Sequence, residues 1–245
     1  MFQKFSSLFL AIVFVVLFSL QSLLLWQLLT GLGGLIVVTT IINYFLHRKG
    51  IHRIEGFTFL LVPIFWISAS SIFIFLQNTK FWETIFVYAL GVIFLKLQLS
   101  LQARFNSVFS ENIFFLSTFG IFLGIWAINF FFTPAWWIIM ALVFVFSAIL
   151  FWIGIFNTHA DSKEKLTYAL LLALGLTEIS WALLFWPLHF LSMTIVIAII
   201  FYLAWTMTRL HFLGLLNKKK IAYHSGFSIL ILIITLSTSV WLPLT

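Results

Sequence analysis

The sequence contains no cysteine among its 245 residues. Disulfides, thiolate metal sites and cysteine nucleophiles are thereby excluded, and the redox compartment stays open. Charge is nearly as scarce, at 8% of residues, where a soluble domain carries roughly a quarter. The 6 acidic residues form no Asp-rich cluster of the kind that holds magnesium and a diphosphate. No HExxH, G-x-S-x-G or P-loop pattern occurs, so zinc, serine and nucleotide chemistry find no support. Catalytic residues, a metal and a cofactor are not expected.

What fills the chain instead is apolar. Hydrophobic residues make up 63% and aromatics 20%, with a mean hydropathy of +1.19. No surface that faces water can be built from this composition, so most side chains must meet lipid or other lipid-embedded helices. The expected fold is an all-α polytopic transmembrane helix bundle. Helix is the expected state because an open sheet edge finds no hydrogen-bond partner in lipid, and the alternation of a membrane barrel is absent.

Apolar stretches separated by short polar punctuation lie at about 6–29, 32–46, 57–76, 82–100, 112–132, 135–156, 166–186, 189–208 and 224–243. Most are of the ~20-residue length that crosses a hydrocarbon core. The expectation is about nine spans, or eight if the short 32–46, entered through TGLGG, is re-entrant. Counting Lys and Arg by side gives the orientation. With the N-terminus cytoplasmic, Lys4, Arg48, Lys49, Arg53, Lys96, Arg104, Lys163, Lys165, Arg209, Lys218, Lys219 and Lys220 fall inside, and Lys80 alone of the 13 falls outside. The C-terminus is then outside. This positive-inside split also accounts for the formal charge of +7, so nucleic acid is not an expected partner.

Trp82, Trp136, Trp137, Trp186 and Trp241 stand at outer ends of these spans and read as an aromatic belt. Residues 1–27 resemble a signal peptide in having an early Lys and an apolar core. The apolar stretch is too long and lacks an A-x-A-like cleavage site, so it is expected to remain. The connections are too short for a soluble domain. Residues 1–245 are therefore expected to form a single integral membrane domain in the cell membrane.

Two segments look interfacial. In KLQLSLQARFNSVF, 96–109, Leu97, Leu101, Phe105 and Val108 recur at helical spacing with Gln98, Gln102, Arg104 and Asn106 off that face. The pattern fits either a helix in the headgroup plane or a straight continuation of the fourth span. In RLHFLGLLNKKK, 209–220, Arg209, Lys218, Lys219 and Lys220 suit contact with anionic lipid at the cytoplasmic face, or serve topology alone. His159 and Asp161 are two residues apart, but their spacing gives neither a metal site nor a second acid. Gly120 and Gly124 form a GxxxG expected to act in helix packing, within the bundle or between protomers. Pro63 is expected to kink the third span.

The most informative stretch is LLALGLTEISWALLFWPLHF, 171–190, where Glu178 interrupts an apolar run. A carboxylate in that setting must be paired, hydrated or neutralised by a proton. It lies eight residues before Trp186, about 12 Å below the outer interface at 1.5 Å per residue. Gln21, Ser71, Asn129 and Thr235 fall near the same level and complete a candidate intramembrane polar site. Three functions fit. The first is a non-catalytic multi-pass membrane protein, an embedded subunit or scaffold with a membrane-protein partner or a second copy of itself. The second is a small-solute or proton-coupled transporter centred on Glu178. The third is a lipid-headgroup enzyme at the cytoplasmic face, using His159 and Asp161.

Overall fold

A computed structural model describes residues 2–19, 25–47, 56–77, 80–102, 108–155, 158 and 161–239. Helices account for 90% of the structure, and no strand occurs among the described residues. Among the described residues nine helices run in the order α1 (Phe2–Ser19), α2 (Leu25–His47), α3 (Gly56–Phe75), α4 (Lys80–Gln102), α5 (Val108–Phe132), α6 (Trp136–Ile155), α7 (Ser162–Leu183), α8 (Phe190–Phe212) and α9 (Lys218–Thr238). Six of them, α4 to α9, are long and apolar enough to cross a membrane. In α1, α2 and α3 the described apolar stretches are the shorter Ser6–Ser19, Gly31–Phe45 and Leu61–Phe75.

The helices form two units, Met1–Gly120 and Ile121–Thr245, divided within α5. In the first, α1 packs on α2 and α4, and α3 packs on α2 and α4. Rings fill the contacts: Phe14 of α1 stacks on Phe94 of α4 at 5.3 Å between centroids. A Cβ on Gly91 of α4 would run into Val15 of α1, so this glycine lets the two backbones approach. In the second unit, α6 packs on α7 and α8, α7 on α8, and α8 on α9. Phe201 of α8 sits between Phe151 of α6 at 4.4 Å and Phe122 of α5 at 5.9 Å.

Hydroxyls inside these helices are largely spent on their own backbone. Ser68, Ser117, Thr118, Thr177 and Thr194 each donate to the carbonyl four residues earlier. This satisfies a polar group where water is absent.

Two boundaries differ informatively from the sequence reading. Residues 25–29, placed in the first span, belong to α2, and TGLGG is helix interior. Glycine reads as a break because it is a poor helix former. At Gly31, however, a Cβ would meet the side chain of Leu17 of α1, and the absent side chain serves close packing. At the other end α9 begins at Lys218, six residues before the expected 224. Gly214, at φ 64°, closes α8 in a left-handed turn, with Leu215 N–H bonded to Leu210 O and Gly214 N–H to His211 O, the pattern of a Schellman cap. Asn217 then caps α9 by accepting from Lys220 N–H at 2.8 Å. Of the two readings of 96–109, residues 96–102 follow the continuation of the fourth span as part of α4, while 103–107 lie outside the described residues. Gln98, assigned to the polar face, is buried beside Leu97.

Candidate functional site

α7 is set by its ends and by small residues along one side. Asp161 caps it, its Oδ1 accepting from Ser162 N–H at 2.8 Å. The caps thus give Asp161 a structural task; His159 lies outside the described residues. The packed face consists of Lys165, Ala169, Ala173, Leu176, Ser180 and Leu183, all buried. Ala169, Ala173 and Ser180 are small enough to let α6 come close.

Glu178 stands on the opposite side of the helix. It is exposed, and its neighbours one and two turns away, Leu171, Leu174, Trp181 and Phe185, are exposed as well. At 100° per residue Leu171, Leu174 and Trp181 lie within about 60° of Glu178 around the axis, and Phe185 follows just beyond the end of the helix. The Trp181 and Phe185 rings meet edge to face at 5.3 Å. No hydrogen bond or ion pair reaches the Glu178 carboxylate among the described residues.

Of the other members of the expected polar layer, Asn129 and Thr235 are described in the same unit as Glu178. Asn129, on α5, is half-buried, and Thr235 is buried on α9; neither is hydrogen-bonded to Glu178 among the described residues. Ser71 belongs to the first unit and donates to Ile67 O at 2.7 Å. Gln21 lies outside the described residues. Of the GxxxG pair, Gly120 packs tightly: a Cβ there would stand 2.5 Å from Ala69 Cβ of α3. Gly124 is buried.

Polar contacts gather along the C-terminal half of α8, which packs on α7 and on α9. Tyr202 of α8 is hydrogen-bonded to His224 of α9 at 3.0 Å. The Arg209 guanidinium lies 5.7 Å from the Trp205 ring centre, within cation–π range. Tyr168 of α7 approaches the rings of His211 and Phe212. Lys218 and Lys219 are exposed and Lys220 half-buried in the first turn of α9. Beside this cluster Lys165 is buried, its Nζ donating to Thr158 O at 2.6 Å, while Thr158 Oγ1 donates to Ile155 O. One lysine therefore ties the first turn of α7 to Thr158. Sequence reasoning counted Lys165 only as a topological charge and did not pair Tyr202 with His224. A 22-residue separation carries no local signal for such a pair. Among the described residues no group of three His, Asp or Glu is placed to hold a metal.

Long apolar helices joined by short connections define a multi-pass helical membrane protein. Residues 43–238 match the family described as "Protein of unknown function (DUF5656)", and with four-fifths of its length matched the chain belongs to that family. No curated protein and no solved structure matches it.

Proposed function

We propose that this protein is a non-catalytic, membrane-embedded subunit of the cell membrane, with nine spans, the N-terminus cytoplasmic and the C-terminus outside. The observation that carries the reading is the direction of Glu178. A transporter needs its intramembrane carboxylate turned toward a shared interior with converging polar groups. Here it is turned away from the helices on which α7 packs. An outward-facing polar group in an apolar face suits recognition of another membrane protein. The basic ends of α8 and α9 support a second contact, with anionic lipid at the cytoplasmic face. Cations in the first turn of a helix oppose its dipole, so Lys218, Lys219 and Lys220 stand there at a cost that attraction to anionic lipid offsets. Exposed Trp82, Trp136, Trp137 and Trp186 fit an outer belt.

Two measurements test this. Purified protein in proteoliposomes should pass no protons or monovalent cations above protein-free vesicles; flux abolished by Glu178→Gln would replace the subunit reading with a transporter. Single cysteines, unambiguous in this Cys-free chain, should be labelled from outside intact cells by an impermeant reagent at Pro134 and should be protected at Ser162 and Leu216. The reverse pattern would invert the orientation.

A further inference from the structure

We infer that the outward face of α7 seats a transmembrane helix of a partner protein that carries a lysine or arginine at the level of Glu178. The inference rests on the subunit reading above and names the partner's chemistry. Within α7, Leu171, Leu174, Glu178 and Trp181 follow one another at spacings of three, four and three, the repeat that presents one continuous seam to a facing helix, and Phe185, its ring against Trp181, stands at the end of that seam. All five are exposed, with Leu171 at 61% and Phe185 at 68%. Gly175 adjoins the seam and a Cβ there would meet nothing within 4 Å, which leaves room at its side for a close backbone or a long side chain.

Charge decides the occupant. Hydrocarbon offers Glu178 neither a donor nor a counter-charge, so lipid alone is a poor cover for the centre of this seam. A second copy inserted in the same orientation brings another Glu178. It brings no base, because on the proposed topology every Lys and Arg except Lys80 lies on the cytoplasmic side and Lys80 lies at the outer surface, about 12 Å above Glu178. A polar group at one position of an apolar seam sets register and partner choice, and opposite charges inside a membrane pair with one another. A helix with one base at matching depth satisfies all of this.

The test uses the full chain in liposomes, with a donor dye on Ala135→Cys. The probe is a synthetic Leu/Ala transmembrane helix bearing an acceptor dye and a single Lys about 12 Å below the outer interface; its control has Leu at that position. The Lys peptide should reach half-maximal energy transfer at a mole fraction about tenfold lower than the Leu peptide, the size of a good interhelical polar contact. Glu178→Gln should abolish that preference. Moving the carboxylate, by Leu174→Glu in the Glu178→Gln background, should transfer the preference to a peptide whose Lys is set about 6 Å deeper. Unchanged thermal unfolding in mild detergent serves as the folding control for each variant. Equal binding of the two peptides overturns the inference, as does a preference that survives Glu178→Gln. Glu178-dependent energy transfer between copies of the chain without peptide would put a second copy on the seam and also overturn it. Failure of the subunit reading is separate, since it shows as cation or proton flux in the proteoliposomes.

Discussion

The Tyr202 hydroxyl on α8 lies 3.0 Å from Nδ1 of His224 on α9, and this hydrogen bond joins the two helices. α9 packs on α8 and buries few of its side chains, Ser228 and Thr235 among them. A polar tie at the Lys218 end of α9 therefore carries a large share of what holds this helix in register. Tyr202→Phe should lower stability by about 1 kcal/mol, the usual net value of such a bond. His224→Phe should cost a similar amount, and the double variant little more than either alone, because the two share one interaction. Unfolding of all three in the same detergent measures the coupling.

Gly120 and Ala69 mark the tightest described approach of α5 to α3. Since a Cβ on Gly120 would stand 2.5 Å from Ala69 Cβ and 3.0 Å from the Phe73 ring, Gly120→Ala should destabilise by about 1 to 3 kcal/mol through overpacking. Adding Ala69→Gly should recover part of the loss. Thermal midpoints of the single and double variants check this; a fully tolerated Gly120→Ala would show that α5 and α3 can separate without cost.

Lys165 offers a buried ammonium to Thr158 O at 2.6 Å. Lys165→Met keeps the packed stem and removes the donor, leaving a buried carbonyl short of a partner. The expected cost is about 1.5 to 3 kcal/mol, the range for a hydrogen bond to a charged group. Thermal unfolding of the Met variant beside the parent in the same detergent measures this, and an unchanged midpoint would show that the bond contributes nothing net.

The lysines at the start of α9 bear on lipid. An environment-sensitive dye on Leu216→Cys, at an exposed site in the α8–α9 turn, should shift to the blue in nanodiscs containing phosphatidylglycerol relative to neutral ones. Replacing Lys218, Lys219 and Lys220 with Gln should remove the shift, at roughly 1 kcal/mol per charge, and high salt should do the same by screening. A spectrum indifferent to lipid charge, salt and substitution would leave these lysines with topology as their task.

The sequence by itself determined the class of protein and the approximate extent of its helices. Apolar length against a hydrocarbon thickness is a one-dimensional property, and a chain records it directly. The first turn of α9 escaped because Lys218, Lys219 and Lys220 carry no apolar periodicity; its start is written in the Asn217 cap and the Gly214 turn instead. TGLGG was misread because only a neighbour, Leu17, reveals that its glycine serves contact. Position along a helix is a sequence property too: Glu178 stands eight residues before Trp186. The direction it faces is not. A soluble helix announces its buried side by polarity, but a helix between lipid and protein is apolar on both sides. Leu171 and Leu176 are equivalent in composition, yet one is exposed and the other buried. Only the packing of α7 through Ala169, Ala173 and Ser180 decided which side faces α6 and α8. That choice turned Glu178 away from the helices on which α7 packs, because rotation about a helix axis is set by the neighbours that fill its small-residue face, and the chain encodes those only once it is folded.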